Sequence, residues 1–194
     1  MPRPVSEETP RQLAAGAADM LRHSGLAATT IRDVAKRSGA PLGSTYHYFP
    51  GGKDQLVTAA VRHTGDTIAE GLRFAMSQGP VAGVRLFLQG WRAALVASDC
   101  QVGCPVLVVA VESTSDELLR TAADVFGTWR SVIADGLREH LPAELAEQQA
   151  TVILAAVEGA TAMCRAQRDI APFDHIVDYI AAALEDSLSR LAGS

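Results

Sequence analysis

Apolar side chains recur along most of the chain at intervals of three and four residues, and not at the interval of two that a half-buried strand shows. The clearest stripe lies between Asp116 and His140 and comprises Leu118, Ala122, Val125, Trp129, Ile133 and Leu137. A second stripe lies in 142–168 and comprises Leu145, Val152, Ala156, Ala160 and Met163, with Val157 and Cys164 beside it. The last one comprises Ile176, Ile180, Ala183, Leu184, Ser187 and Leu191. These patterns predict an all-α protein of about nine helices.

Proline positions agree with these helices. Pro105, Pro142 and Pro172 each precede an apolar run, where a first-turn proline loses no hydrogen bond. The one segment with the composition of a strand is Val106 to Val111, which is continuous and β-branched. No partner strand is evident elsewhere in the chain, so we predict a buried helix there.

The first fifty residues predict two short helices joined by a tight turn. A first helix ends at Gly25, and Thr30 with Asp33 forms a capping-box pattern that opens the next helix. Gly39 closes that helix, and Pro41 begins another about seven residues long. Two short helices around a glycine-containing turn predict a helix-turn-helix unit.

Charge is distributed unevenly between this unit and the rest of the chain. The 194 residues carry a net charge of −5, with 48% hydrophobic and 20% charged side chains, which is typical of a folded protein. Residues 1–56 hold seven Lys/Arg and five Asp/Glu, whereas 57–194 hold ten and seventeen. A basic head on an acidic body confines attraction to polyanions to one end. We therefore predict a DNA-binding domain over 1–56, followed by a helical body over 57–194.

Composition also bears on the compartment and on metal sites. No run approaches the roughly 18 apolar residues of a membrane span, and no apolar signal segment follows Met1, which predicts a cytoplasmic protein without a membrane partner. Three cysteines are an odd number and too few for a disulfide framework. Cys100 and Cys104 lack nearby histidines, so buried thiols are expected there, and no metal or cofactor is predicted.

The stretch TIRDVAKRSGAPLGSTYHYF, from Thr30 to Phe49, resembles the DNA-binding signature of the TetR/AcrR family of transcriptional repressors. The following Pro50 to Leu56, and the Gly-Cys-Pro that ends at Pro105, resemble the LmrA/YxaF branch of that family. The resemblance implies a homodimer that binds a palindromic DNA operator and is released by a small-molecule inducer. It makes 57–194 the helical ligand-binding and dimerisation domain.

In helix-turn-helix proteins the second helix lies in the major groove. Arg32 is the candidate for a bidentate contact to guanine, while Lys36, Arg37 and Lys53 are candidates for phosphate contacts. Tyr46 either contacts a phosphate or is partly buried in the core. The full set of predicted DNA-binding residues is Thr30, Arg32, Lys36, Arg37, Leu42, Gly43, Ser44, Thr45, Tyr46, His47, Tyr48 and Lys53.

The family also implies an inducer pocket in the body, although each apolar candidate is equally a core residue. Glu112 and Glu158 lie in apolar helices, where a carboxylate needs a partner such as Arg165 or a ligand of opposite charge. The predicted ligand-binding residues are Phe87, Trp91, Leu107, Val111, Glu112, Phe126, Trp129, Glu158 and Met163. Their aliphatic and aromatic character favours an apolar, drug-sized ligand.

The resemblance implies that the chain dimerises through its last two long helices. Small residues there allow close packing, although such residues are more often part of a core. These residues are Ala155, Ala156, Gly159, Ala162, Ala182 and Ala183, to which Tyr179 and Ile180 add apolar area.

The sequence therefore predicts a ligand-responsive repressor. It is not predicted to be an enzyme, because nucleophile-elbow, phosphate-loop and zinc-protease motifs are absent and its five histidines are scattered. The alternatives are a helical ligand-binding or scaffold protein with a vestigial helix-turn-helix, and a small catalytic bundle. Binding that falls steeply with salt and persists against competitor DNA distinguishes the first reading from these two.

Overall fold

The structure is a computed structural model that describes residues 8–192, and every regular element in that range is a helix. The nine described helices are α1 (Glu8–Ala28), α2 (Ile31–Arg37), α3 (Leu42–Tyr48), α4 (Gly52–Met76), α5 (Pro80–Ala97), α6 (Pro105–Glu112), α7 (Asp116–Arg138), α8 (Ala143–Gln167) and α9 (Ala171–Ala192). The predicted all-α fold of about nine helices is confirmed. Within the described range no helix has the length and apolar character needed to cross a membrane.

Three of the predicted helix starts fall within a residue or two of the observed ones. Pro105 is the first residue of α6, and Pro172 lies in the first turn of α9. Pro142 is the residue before α8 and not its first turn, because its extended backbone, at ψ 142°, precedes the helical conformation. The segment Val106 to Val111 lies in α6, so the prediction of a helix there is confirmed.

The chain forms two compact units. The first contains the described residues up to Asp66 together with Cys104–Val125. The second contains Thr67–Gly103 and the chain from Phe126 to the end of α9. The described part of the predicted head, 8–56, falls in the first unit, which also contains α6 and the first part of α7.

In the first unit, α1 is the central element and packs against α2, α3 and α6. Its side chains Leu13, Ala17 and Leu21 are inaccessible to solvent, and the neighbouring helices contribute further buried apolar side chains. The core residues include Leu13, Ala17, Leu21, Val34, Ala35, Phe49, Leu56, Val106 and Val109. A core of this size holds the two short helices α2 and α3, which are too short to be stable alone.

In the second unit, α9 packs against both α5 and α8. The largest buried side chains of this unit are Leu72, Leu88, Leu95, Trp129, Ile133, Leu137, Ile153, Phe173 and Leu184. Arg92 on α5 donates two hydrogen bonds, of 2.6 and 3.0 Å, to the Asp174 carboxylate on α9. These bonds hold the pKa of Asp174 below its usual value and fix α9 against α5.

The stripe predicted for α7 is buried along its whole length, from Leu118 to Leu137. The stripe predicted for α8 is wrong in part: Val157, Ala160 and Cys164 are buried, but Val152 and Met163 are 53% and 51% exposed. The buried face of α8 differs from the predicted stripe. It comprises Ala146, Ala150, Ile153, Leu154, Val157, Glu158, Ala160, Thr161 and Cys164. Apolar or small side chains cover both faces of α8, so periodicity alone does not identify the one that packs inward.

Gly83 on α5 marks a close approach of backbone to backbone. A Cβ atom there would lie 2.6 Å from the carbonyl oxygen of Ala75 and 2.8 Å from the Cα of Met76, both on α4. Because these atoms belong to the main chain, they cannot move aside as a flexible side chain would. We expect Gly83→Ala to lower the free energy of unfolding by about 2 kcal/mol.

The matched control is Gly90→Ala, in the same helix. A Cβ atom at Gly90 meets nothing within 4 Å, so alanine should stabilise the helix by about 0.5–1 kcal/mol. Thermal unfolding at one protein concentration would then move in opposite directions for the two variants, with a midpoint lower by roughly 4–8 °C for Gly83→Ala. Equal midpoints would show that the two helices relax around the added methyl group.

Candidate DNA-binding surface

Local capping explains why the chain turns sharply between α2 and α3. The Thr30 hydroxyl accepts a hydrogen bond from the Asp33 N–H at 3.2 Å and lies 2.6 Å from its carboxylate, so the predicted cap of α2 is confirmed. Gly39 ends the turn after α2 with φ 64°, a conformation that glycine adopts without strain. Pro41 is the N-cap of α3 and accepts the Ser44 N–H at 3.0 Å. This geometry is a helix-turn-helix.

The short helix α3 has one anchored side and one open side. Thr45 is fully buried, and its hydroxyl lies 3.4 Å from the Pro41 carbonyl oxygen, so it supports the helix from within. Leu42 and Tyr46 are 38% and 54% exposed, and Gly43 and His47 lie on the same open side. Ser44 and Tyr48 are half-buried. The open side can therefore present a thymine-methyl contact, a phenol and an imidazole to DNA.

The basic residues predicted to contact DNA fall into two groups. Arg32 and Lys36 are exposed on α2. Arg37, by contrast, forms an ion pair with Asp19 on α1, and Lys53 donates a hydrogen bond of 2.7 Å to the Leu26 carbonyl oxygen. Arg37 and Lys53 thus connect elements of the first unit, whereas the side chains of Arg32 and Lys36 are open to solvent.

An aromatic cluster lies in the second unit and gathers four of the predicted ligand-binding residues. Ring centroids are 5.8 Å apart for Phe87 and Trp91, 6.4 Å for Trp91 and Trp129, and 5.6 Å for Phe126 and Trp129, all edge to face. The indole N–H of Trp91 donates a hydrogen bond of 2.8 Å to the hydroxyl of Thr161 on α8. Thr161 was not predicted, because nothing in the sequence pairs a helix-interior threonine with a tryptophan seventy residues away.

Glu158 lies one turn before Thr161 on the buried face of α8 and is only 7% exposed. A buried carboxylate is a polar group of the kind that orients a ligand in an apolar site. Trp129, at the centre of the cluster, is completely inaccessible to solvent in this structure.

The other predicted ligand-binding residues do not join this cluster. Leu107, Val111 and Glu112 lie on α6, in the first unit, where Val111 is 73% exposed and Glu112 is also exposed. The Glu112 carboxylate accepts the Leu26 N–H at 2.8 Å, which gives it a partner on α1. Met163 lies on the solvent side of α8. The aromatic cluster therefore comprises Phe87, Trp91, Phe126 and Trp129.

An exposed apolar face runs along α8 and α9, which pack against each other. Three large side chains, Val152, Met163 and Tyr179, are more than half exposed. The exposed small residues beside them are Ala155, Gly159, Ala162 and Ala182, whereas Ala156 and Ala183 are half-buried. Ile180, predicted to add area to the interface, is buried in the protomer core instead.

All three cysteines are buried as thiols. Burial raises the pKa of the Cys164 thiol, so less of it is thiolate, the reactive form, at neutral pH. Among the described residues, no three His, Cys, Asp or Glu side chains are arranged to hold a metal ion.

Two family models match the chain. The model described as bacterial regulatory proteins, tetR family, matches residues 13–60, which include the whole helix-turn-helix. The model described as the C-terminal domain of LmrA/YxaF-like transcriptional regulators matches residues 80–179, which include the aromatic cluster and α8.

Individual proteins match over most of their length. The uncharacterised HTH-type transcriptional regulator Rv0196 of Mycobacterium tuberculosis strain H37Rv is 33% identical over 174 residues, covering 85% of this chain and 89% of that protein. The HTH-type regulator YxaF of Bacillus subtilis strain 168 is 31% identical over 169 residues, covering 84% and 88%. A TetR transcriptional regulator from Legionella pneumophila has the same fold, with a TM-score of 0.80 at 20% identity over 93% of this chain and 99% of that one. This chain belongs to the TetR family of transcriptional regulators, with a C-terminal domain of the LmrA/YxaF type.

Proposed function

We propose that this regulator is a repressor that binds a palindromic DNA operator as a homodimer and leaves it when a small, largely apolar molecule binds. The observation that carries DNA binding is the open side of α3, with Leu42, Tyr46 and His47 exposed, next to Arg32 and Lys36 on α2. These side chains can contact base edges and phosphates when α3 enters the major groove. Because DNA is the proposed target, we expect the protein to act in the cytoplasm.

The exposed apolar face of α8 and α9 supports the dimer. Large apolar side chains alternate there with alanines and a glycine, and small residues allow two helices to approach closely. Burial of such a face against its own copy forms an isologous interface, which gives two-fold symmetry. Two heads related in this way read two half-sites of a palindrome, and each head alone makes few contacts.

The aromatic cluster of the second unit supports the inducer. Its four rings form a connected apolar cluster, and the buried face of α8 adds the polar groups of Glu158 and Thr161, the latter bonded to Trp91. An apolar surface with a few polar groups is typical of a site for a drug-sized molecule. Release of DNA then requires that the molecule bind more tightly to a conformation that does not fit the operator.

The experiment that tests this function is a mobility-shift titration with the DNA immediately upstream of the protein's own coding region. The titration is run at two salt concentrations and with excess competitor DNA. A specific shift that weakens steeply with salt supports the repressor and provides an assay for molecules that release it. A chain that is dimeric and helical but binds neither this DNA nor any duplex selected from a random pool favours the ligand-binding protein with a vestigial helix-turn-helix.

A further inference from the structure

The end of α1 contains a break that the helix itself does not stabilise. Gly25 has φ 83° and ψ 176°, far from helical values, so Leu26 begins a separate last turn that ends at Ala28. A break of this kind leaves main-chain N–H and C=O groups without the partners that a continuous helix supplies. Something outside α1 must satisfy them for the break to persist.

Side chains from two other helices bind the main chain of Leu26. Its N–H donates to the Glu112 carboxylate of α6 at 2.8 Å, and its carbonyl oxygen accepts from the Lys53 ammonium of α4 at 2.7 Å. The carbonyl oxygen of Gly25 accepts from the Thr29 hydroxyl at 2.8 Å. We call Glu112, Lys53 and the Leu26 peptide groups the Leu26 clamp.

Gly25 and Glu112 fit each other sterically. A Cβ atom at position 25 would lie 3.0 and 3.2 Å from the two carboxylate oxygens of Glu112, and the positive φ is itself unfavourable for other residues. Glu112 is also the last residue of α6, where a negative charge opposes the dipole of its own helix. The carboxylate is therefore unfavourable for α6 and favourable for the turn of α1 that it caps.

The clamp lies immediately before the helix-turn-helix. Only Ala27, Ala28 and Thr29 separate Leu26 from Thr30, the N-cap of α2. The position of Leu26 therefore determines where α2 begins, and α2 in turn packs against α3. We propose that Glu112 is a positioning residue for DNA recognition: through the Leu26 N–H it holds the end of α1, and hence α2 and α3, in the arrangement that fits the operator. This inference rests on the proposed function, because it concerns how the head is held for DNA.

A positioning role for Glu112 predicts a change in DNA affinity opposite in sign to the change expected from charge alone. Removing a carboxylate from a DNA-binding unit makes it less acidic, which should strengthen DNA binding. Loss of a positioning contact should weaken DNA binding, because the head must then be ordered when it binds DNA. We expect Glu112→Ala to reduce affinity for a specific duplex about five- to tenfold, a change of the size that the loss of one typical hydrogen bond produces.

The test uses the full-length protein and a duplex enriched by the wild-type chain from a random-sequence pool. Affinity is measured by fluorescence anisotropy over a range of salt concentrations for wild type, Glu112→Ala, Glu112→Gln and the control Glu117→Ala. Glu117 is exposed on α7 in the same unit, so its replacement makes the same charge change away from the clamp. Glu112→Gln keeps an oxygen that can accept the Leu26 N–H and should retain affinity within about twofold.

Two further readouts separate positioning from contact with DNA. The slope of log affinity against log salt should stay unchanged in Glu112→Ala, because Glu112 neutralises no phosphate. Hydrogen exchange of the Leu26 amide, measured without DNA, should be faster in Glu112→Ala than in wild type and Glu112→Gln. An alanine variant that binds as tightly as Glu117→Ala, or whose Leu26 amide exchanges as in wild type, overturns the proposal and leaves the repressor intact. A wild-type chain that enriches no duplex overturns the proposed function itself.

Discussion

The double variant Arg32→Ala, Tyr46→Ala should lose specific DNA binding by at least about a hundredfold while remaining a folded dimer. Arg32 is exposed on α2 and Tyr46 is exposed on the open side of α3. A bidentate arginine–guanine contact contributes about 1–3 kcal/mol, and a dimer loses it in both half-sites. Neither side chain belongs to the buried core, so the helical content should not change.

The measurement is an anisotropy titration of the enriched duplex and of an unrelated duplex, with circular dichroism and sedimentation velocity as checks on fold and dimer. Arg120→Ala is the control for charge, because Arg120 is exposed on α7 in the same unit, outside the helix-turn-helix. It should reduce affinity for both duplexes slightly and equally. If the double variant still distinguishes the enriched duplex from the unrelated one as wild type does, α3 is not the recognition helix.

A substitution of Lys53 would be a less specific test of DNA contact. Its ammonium group binds the Leu26 carbonyl oxygen, so Lys53→Ala would disturb the end of α1 as well as any phosphate contact. The sequence predicted a phosphate contact for Lys53 because a lysine ammonium group can neutralise a phosphate. The main-chain partner lies 27 residues away and depends on the break at Gly25, which local pattern does not reveal.

The helix-turn-helix was the part of the molecule most open to prediction, because its determinants are local. The Thr30 cap lies within three residues of its partner, and the φ 64° of Gly39 is a property of a single residue. The α7 stripe was equally predictable, since only one face of that helix is apolar. In both places a short sequence window contains the whole physical cause.

The body was harder to predict, because its apolar residues form both the buried core and the exposed face of α8. On α8, Val152 and Met163 are as hydrophobic as Ile153 and Val157, yet the first two are exposed and the last two are buried. The difference depends on where α5 and α9 pack, which is a tertiary property. The partner of Glu112 was hard to predict for a related reason. A glutamate in an apolar helix suggested Arg165 or a ligand, whereas the observed partner is a main-chain N–H of α1.

The same exposed face of α8 provides the second large effect, through the substitution Gly159→Arg. A Cβ atom at Gly159 meets nothing within 4 Å in the protomer, so an arginine side chain fits there without strain. Replacing a helix-interior glycine should even stabilise the isolated protomer by about 0.5–1 kcal/mol. In a closely packed interface, however, two bulky cations must be buried without partners, which costs several kcal/mol. We therefore expect a folded monomer.

Monomer formation should in turn weaken operator binding by at least about a hundredfold, because the second head no longer binds at the high local concentration that the first one provides. The matched control is Gly90→Arg on α5, an exposed glycine that also has open space around it and gains the same charge. Sedimentation velocity should give half the mass for Gly159→Arg and the wild-type mass for Gly90→Arg. A Gly159→Arg chain that remains dimeric would place the interface elsewhere. One that is monomeric but binds the enriched duplex like wild type would show that each head recognises its site alone, and the palindromic operator would have to be abandoned.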